Sequence, residues 1–268
     1  MISFANAKIN IGLLITDKRE DGYHNIETIF YPVKLYDVVE TRIQDEFSFQ
    51  CHGITIPKDG INLCEKAYQL LKKDYNIPSV GIDLLKNIPI GAGLGGGSSD
   101  AAFVLKALNQ LFELNLGIQQ LETYALKLGA DCPFFIQNKP VFASGIGADF
   151  EEVEFDLSSY YIVLINPGIH ISTQEAYANV HAQSPSLDLK RAIRLPIQEW
   201  KYNIINDFEL GIFQKYPIIE KLKNAFYEKG ALYAAMSGSG STVYGIFEKS
   251  TNLDDLKNFG KVYYPVDL

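Results

Sequence analysis

A glycine-rich stretch at residues 89–99, Pro-Ile-Gly-Ala-Gly-Leu-Gly-Gly-Gly-Ser-Ser, constrains the fold of this chain more than any other feature. Alternating residues at 81–85 predict a strand before it, and apolar residues from Ala101 to Phe112 predict an amphipathic helix after it. In such a strand–loop–helix unit, glycines let backbone N–H groups converge on a ligand beside the positive end of the helix. The alternative is a flexible glycine turn with a serine cap, but the density and placement of the glycines favour polyphosphate binding. The predicted phosphate-binding residues are Pro89, Gly91, Gly93, Leu94, Gly95, Gly96, Gly97, Ser98 and Ser99.

Composition excludes several classes of function. The 268 residues suffice for one large domain or two modest ones, and 47% hydrophobic with 21% charged residues is typical of a globular protein. A net charge of −8 without a Lys/Arg cluster argues against a nucleic-acid partner, and no apolar run is long enough to span a membrane. The three cysteines lack metal-ligand spacing and the N terminus lacks a signal peptide, so we expect a cytoplasmic protein with no disulfide and no metal ligands.

The glycine stretch is not a Walker A loop, because no Gly-Lys-Ser/Thr follows the glycines. It resembles the second motif of the GHMP kinases, which include galactokinase, homoserine kinase and mevalonate kinase, with Gly-Leu-Gly at residues 93–95 and Ser-Ser at 98–99. Two extra glycines stand before the serines, and in this the motif resembles that of one branch of the family, whose acceptor is 4-diphosphocytidyl-2-C-methyl-D-erythritol. Residues 237–241, Ser-Gly-Ser-Gly-Ser, resemble the third family motif, a loop that closes against the phosphate loop.

Two further motifs imply the catalytic residues. The predicted strand at residues 3–15 contains Ala-Lys-Ile-Asn, similar to the first motif of that branch, which implies that Lys8 lies beside the reacting hydroxyl and that Asn10 holds the substrate. After a predicted helix at about residues 118–128, Leu-Gly-Ala-Asp-Cys-Pro resembles the segment with the acidic catalytic residue. The resemblance implies Asp131 as general base with Lys8 as its partner. Without the resemblance, Lys8 would be interpreted as a solvent-exposed residue on a strand and Asp131 as an ordinary turn residue.

The sequence Asp-Gly-Tyr-His at residues 21–24 resembles the base-reading turn of the same branch. The resemblance implies that Tyr23 stacks on the cytosine ring and that His24 hydrogen-bonds its edge, roles that suit an aromatic face and an imidazole. It also implies that Tyr177 covers the other face of the base, with core packing an almost equal alternative.

Two other segments resemble the family. Asn62 and Leu63 precede a predicted helix at residues 64–73, where similar kinases contact adenine, although Asn is also a common helix cap. Residues 206–209, Asn-Asp-Phe-Glu, match a family segment for which the sequence indicates no catalytic role.

Together the motifs imply an α+β, two-domain GHMP kinase fold with its active site in the cleft. A ribosomal-protein-S5-like, ATP-binding domain would occupy residues 1–155, and a ferredoxin-like domain residues 156–268, where the strand and helix order supports it. The implied reaction moves the γ-phosphoryl of ATP, with Mg²⁺, to the 2-hydroxyl of the small-molecule cytidyl acceptor, in the non-mevalonate route to isoprenoid precursors. We expect a monomer or a weak homodimer.

Two alternatives remain at this point. A mevalonate- or homoserine-type kinase of the same family is disfavoured by Asp-Gly-Tyr-His, because those acceptors carry no base to stack. A non-catalytic nucleotide-binding module is disfavoured because Lys8 and Asp131 are both present.

Overall fold

The chain folds into two compact units, as seen in a computed structural model that describes residues 1–20, 22, 24–56, 60–178, 180 and 188–265. The first unit comprises Met1–Ala7, Lys34–Ile90 and Gly95–Lys139, and the second comprises Lys8–Val33, Gly91–Leu94 and Pro140–Leu268.

Two long strands begin the chain and contribute residues to both units. They are β1 (Ile2–Lys18) and β2 (His24–Ile43), which pair with each other. Residues 5–15 of β1 are buried on both faces, and the polar residues among them are therefore held by protein contacts.

Strand β2 continues through Pro32, although proline commonly interrupts a strand. Residues 28–30 pair with β5 (Val141–Ser144), whereas residues 38–43 pair with β4 (Val80–Lys86). The N–H that proline lacks therefore falls outside both of these ladders.

The first unit combines β3 (Ser48–Gly53), parallel to β4, with four helices. These helices are α1 (Leu63–Tyr75), α2 (Gly96–Leu111), α3 (Ile118–Leu126) and α4 (Phe134–Gln137). The apolar face predicted for α2 is confirmed, since Ala101, Val104, Leu105 and Leu108 are buried. That burial fixes the helix that follows the glycine loop.

The second unit contains β5, β6 (Asp149–Glu152) and a separate antiparallel sheet. The strands of that sheet are β7 (Tyr161–Asn166), β8 (Tyr233–Met236), β9 (Val243–Phe247) and β10 (Lys261–Tyr263), in the order β10-β7-β9-β8. This is the ferredoxin-like order, with a 3-10 turn at Asp254–Leu256 where the second helix would be.

Short helices connect β7 to β8 in this unit. They are α5 (Thr173–Tyr177), α6 (Leu189–Ala192), α7 (Ile197–Asn203), α8 (Phe208–Lys215) and α9 (Pro217–Glu228). Leu222 and Phe226 of α9 belong to a core that includes Val163 of β7 and Val243 of β9. Across the described chain, no helix has the length and apolar content needed to cross a membrane.

Candidate active site

The glycine-rich stretch forms a loop that leads directly into α2. Gly91, Gly93 and Gly95 have φ of +59°, +76° and +66°, the left-handed region that glycine adopts without steric cost. Gly95 is the N-cap of α2, and no side chain of the described segment 60–178 caps this end. The first N–H groups of the helix are therefore left for a ligand, and the dipole adds positive potential that suits phosphate.

Ser98 and Ser99 lie inside the first turn of α2, so the serine-capped alternative is wrong. Ser98 lies near Cys132, and its hydroxyl lowers the pKa of that thiol. The hydroxyl of Ser99 is buried and has no hydrogen-bond partner among the residues that the structure describes. Because buried hydroxyls are normally satisfied, this oxygen beside an uncapped helix start fits a bound triphosphate.

Within the described ranges, no three His, Cys, Asp or Glu side chains are grouped so as to hold a metal. Mg²⁺ commonly keeps several waters and is held by substrate phosphates with one or two protein oxygens. The described residues therefore provide no dedicated protein cage for this ion.

Gly93 lies directly against the third glycine-rich loop, residues 237–241. Ser237 Oγ donates to the carbonyl oxygen of Gly93 at 2.7 Å, and a Cβ on Gly93 would overlap the carbonyl oxygen of Ser237. A Cβ on Gly238 would lie 3.3 Å from Gly93 Cα. The contact implied between the third motif and the phosphate loop is therefore confirmed at Gly93.

Lys8 and Asn10 lie two residues apart on β1 and are both buried. Lys8 Nζ donates to Asn10 Oδ1 at 2.5 Å, and Asn10 Nδ2 donates to Thr28 Oγ1 at 3.0 Å. The Lys8 ammonium also lies 4.5 Å from the centroid of the Phe30 ring. Asn10 thus orients the Lys8 ammonium, and its predicted contact with substrate stays a prediction.

The backbone of Lys8 also contacts the phosphate loop. Its N–H donates to the carbonyl oxygen of Leu94 at 2.9 Å. This bond fixes the strand that carries the Lys8 ammonium relative to the Gly91–Leu94 segment of the loop. The sequence implied separate roles for Lys8 and for the glycine-rich loop, and the structure shows a direct hydrogen bond between them.

Asp131 lies in the turn between α3 and α4, next to Cys132. Burial raises the pKa of the Cys132 thiol to about 11, with the Ser98 hydrogen bond lowering it and the charge of Asp131 raising it. Asp131 and Ser98 therefore both act on this thiol, which brings the proposed base and the first turn of α2 into one neighbourhood. Its catalytic role stays a prediction.

The ring of His24 stacks on Tyr177, with centroids 4.8 Å apart and planes inclined by 15°. Tyr177 also makes a T-shaped contact with Phe208, with ring centroids 4.8 Å apart and planes inclined by 84°. Tyr177 is half-buried and packs against the core of the second unit, so core packing and base contact are compatible. Tyr23 lies outside the described residues.

Asn62 acts as a helix cap. Its side chain accepts from the N–H of Cys64 at 2.9 Å, and Glu65 Oε1 accepts from the Asn62 N–H at 3.2 Å, a capping box for α1. Leu63 begins α1, and its methyl group lies 3.9 Å from where a Cβ of Gly97 would stand. The contact of these two residues with adenine stays a prediction.

Sequence reasoning missed a buried ion cluster under the start of α2. Lys86 on β4 pairs with Asp37 and with Asp100, the latter at 3.0 Å, and all three side chains are at most 4% exposed. Lys86 Nζ lies 2.8 Å from where a Cβ of Gly96 would stand. Asp100 directly follows the paired serines, and an acidic residue inside an otherwise apolar face was the signal available.

The charges in this cluster are mutually dependent. Burial and the charge of Asp37 raise the pKa of Asp100 to about 8, although Lys86 opposes the rise. Burial lowers the pKa of Lys86, but the two carboxylates outweigh it and the net shift is upward. Lys86 is thus held as a cation against the backbone of the glycine loop.

Comparison with known proteins identifies the class first. Residues 62–139 match the family model for the GHMP kinases N terminal domain, and residues 191–264 match that for the GHMP kinases C terminal. The crystal structure of a homoserine kinase from Cytophaga hutchinsonii shares the fold with a TM-score of 0.69 at 18% identity, covering 97% of this chain and 94% of that chain. The predicted α+β GHMP kinase fold is confirmed.

Closer relatives are more specific. A crystal structure of 4-(cytidine 5'-diphospho)-2C-methyl-D-erythritol kinase has a TM-score of 0.83 at 29% identity, covering 98% of this chain and 97% of that chain. The 4-diphosphocytidyl-2-C-methyl-D-erythritol kinase of Bacteroides thetaiotaomicron is 52% identical over 95% of both chains. That of Parabacteroides distasonis is 51% identical over 98% of this chain and 97% of its own. This chain therefore belongs to the 4-diphosphocytidyl-2-C-methyl-D-erythritol kinase family.

Proposed function

We propose that this chain transfers the γ-phosphoryl group of ATP to the 2-hydroxyl of 4-diphosphocytidyl-2-C-methyl-D-erythritol, in the non-mevalonate route to isoprenoid precursors. The relatives' name supports the substrate, at about half identity over nearly the whole chain. The structural observation that carries the proposal is the stacked pair of His24 and Tyr177, because an acceptor with a planar base needs an aromatic surface. A mevalonate- or homoserine-type acceptor gives such a pair nothing to bind.

The chemistry divides among three groups. The carboxylate of Asp131 takes the proton of the 2-hydroxyl, whose oxygen then forms a bond to the γ-phosphorus while the bond to the β,γ-bridging oxygen breaks and ADP leaves. The Lys8 ammonium, oriented by Asn10, stabilises negative charge on the transferring group. Residues 91–99 bind the triphosphate through backbone N–H groups. Mg²⁺, when bound, neutralises phosphate charge, with Ser99 as the protein oxygen that fits it.

The remaining assignments follow from this activity. Asn62 and Leu63 flank the adenine, and Tyr23 stacks on the cytosine with His24 at its edge. The matched ranges 62–139 and 191–264 fall on opposite sides of the predicted boundary, which supports domains at residues 1–155 and 156–268. We propose that the enzyme works in the cytoplasm, where its substrate ATP is available, as a monomer or weak homodimer.

The base contact gives a direct test of this function. His24→Ala removes one ring of the stacked pair and its edge donors, so we expect KM for the cytidyl substrate to rise about tenfold or more while KM for ATP changes little. CDP should compete with that substrate in the wild type and much less in the variant. Steady-state kinetics with varied acceptor and varied CDP measure both effects.

A matched control is His52→Ala, because His52 is an exposed histidine on β3. It should leave both KM values within about twofold of the wild type. If CDP does not compete in the wild type, recognition through cytosine fails and an acceptor without a base becomes the better assignment.

The close approach at Gly93 gives a second test, directed at ATP. Gly93→Ala places a Cβ onto the carbonyl oxygen of Ser237 at a φ of +76°, so the loop must move. We expect the dissociation constant for ATP to rise about tenfold or more, equivalent to about 1.4 kcal/mol. Isothermal titration with a non-hydrolysable ATP analogue measures it.

Gly230→Ala is the matched control for Gly93→Ala. Gly230 also has a positive φ, +88°, but a Cβ there would meet nothing within 4 Å. The two variants therefore share backbone strain and differ in the clash. Equal nucleotide affinity in both folded variants would show that the Gly93 contact does not shape the ATP site.

A further inference from the structure

The Asn-Asp-Phe-Glu segment at residues 206–209, which ends the α7–α8 connection and begins α8, is attached to β1 through its backbone. The N–H of Leu13 donates to the carbonyl oxygen of Ile205 at 2.9 Å, and the N–H of Asp207 donates to that of Leu13 at 2.8 Å. The side chain of Asp207 accepts from the N–H of Ile15 at 2.7 Å. These three bonds fix the segment against the strand that carries Lys8 and Asn10.

Asn206 connects this segment to the third glycine-rich loop. Its Nδ2 donates to the carbonyl oxygens of Met236 and Gly238, both at 2.8 Å. Its Oδ1 accepts from the N–H of Phe208 at 3.0 Å. A buried amide whose two donors both bind one loop has little freedom to turn, and it fixes two carbonyls of that loop.

Glu209 binds Met236, the last residue of β8, which directly precedes the same loop. Its Oε1 accepts from the N–H of Met236 at 2.8 Å, and its Oε2 pairs with Lys223 Nζ at 2.6 Å. Asn206 and Glu209 thus satisfy the carbonyl and the N–H of the same residue, Met236. These two hydrogen bonds fix the backbone of Met236, and with it the point at which the loop begins.

The loop in turn contacts two of the predicted site residues, Gly93 and Asn10. Ser237 Oγ donates to the carbonyl oxygen of Gly93 and accepts from the N–H of Asn10 at 3.2 Å. Tyr244 on β9 donates to the carbonyl oxygen of Asn10 at 2.9 Å. Through Ser237, the carbonyls held by Asn206 are one residue from the bonds that fix Gly93 and Asn10.

The same segment also supports the base-binding rings. Phe208 lies between Asn206 and Glu209 in sequence, and its ring makes a T-shaped contact with Tyr177, which stacks on His24. One short segment therefore touches both the acceptor-binding pair and the glycine loop. The segment can therefore fix the position of the His24–Tyr177 pair relative to the third glycine-rich loop.

We propose that Asn206 is a positioning residue, which holds the third glycine-rich loop for phosphoryl transfer, and that Phe208 in the same segment positions the pair that binds the base. The proposal rests on the proposed function. The proposal predicts that substitution of each residue changes a different kinetic constant. Asn206 acts on the rate of transfer, whereas Phe208 acts on binding of the acceptor.

Asn206→Ala removes both donors to the loop. We expect kcat to fall about tenfold or more, with KM for both substrates within about threefold of the wild type, since small displacements at a reacting centre cost rate before affinity. We also expect faster amide hydrogen exchange at residues 236–241. The carbonyl oxygens of Met236 and Gly238 lose their hydrogen bonds from Asn206, so the loop should open more often. Asn206→Asp keeps the size and the acceptor for Phe208, and it is measured in the same way if the alanine variant does not fold.

Phe208→Leu keeps most of the buried volume but removes the ring edge from Tyr177. We expect KM for the cytidyl substrate to rise about three- to tenfold with kcat little changed. A purely structural role would instead lower the melting temperature of both variants and move the same kinetic constant in each. The opposite pattern of kcat and KM is what distinguishes positioning.

Asn203→Ala is the matched control, because the Asn203 amide donates only to the carbonyl oxygen of Glu199 within α7 in the described contacts. If kcat of Asn206→Ala lies within twofold of this control, or if exchange at 236–241 is unchanged, the proposal is overturned. Absence of turnover in the wild type would overturn the proposed function instead. The exchange measurement needs no substrate, so it still tests the hold of Asn206 on the loop.

Discussion

Asp131→Asn is expected to lower turnover by about 100-fold or more, while both substrates still bind. The amide is nearly isosteric with the carboxylate but cannot accept the proton of the 2-hydroxyl. The charge of Asp131 also acts on the thiol of Cys132, which contacts Ser98 in the first turn of α2. Single-turnover kinetics, which isolate the chemical step from product release, measure the loss.

The control for this variant is Asp45→Asn, an exposed aspartate in the turn after β2. It carries the same change of charge and should retain wild-type turnover. Near-normal turnover of Asp131→Asn would show that the reacting hydroxyl is deprotonated elsewhere, and Lys8 would then lose its assigned partner as well.

Lys86→Met is expected to cause the largest loss of stability, about 3–5 kcal/mol, because it leaves Asp37 and Asp100 buried without their cation. Burial already raises the pKa of Asp100 to about 8 with Lys86 present. Lys86 opposes that rise, so without it Asp100 should hold its proton still more strongly in the folded state than in the unfolded chain. The unfolding free energy of the variant should therefore fall as pH rises above about 4, the ordinary pKa of an aspartate.

Urea unfolding at pH 6 and at pH 8.5 checks both parts of this expectation. Lys66→Met on α1 is the matched control, because Lys66 is exposed and its loss should change stability by about 0.5 kcal/mol or less. A pH-independent loss in Lys86→Met would contradict the role of the two carboxylates, and a loss no larger than the control would contradict the cluster as a whole.

Local features of the site could be predicted from the sequence. The glycines at 91, 93 and 95 do adopt a positive φ, and the apolar spacing after them does form a buried helix face. Both follow from properties of neighbouring residues, which a sequence displays directly. Family motifs added Lys8, Asn10, His24 and Tyr177 as separate candidates, but not the stacking of His24 on Tyr177.

Contacts between distant residues could not be predicted in this way. Asp37 and Lys86 are 49 residues apart, and Asn206 lies 30 residues from Met236. No periodicity or spacing links such pairs, because tertiary packing alone brings them together. The continuation of β2 through Pro32 likewise depends on which partner each part of the strand takes, and a sequence does not display those partners.

The central claim is that the acceptor is the cytidyl substrate. The most direct test measures ADP formation from ATP by the wild-type protein with and without 4-diphosphocytidyl-2-C-methyl-D-erythritol, and with mevalonate or homoserine in its place. We predict rapid ADP formation with the cytidyl substrate alone, matched by an equal amount of product phosphorylated at the 2-hydroxyl. Equal rates with and without that substrate, or faster turnover with mevalonate or homoserine, would contradict the account.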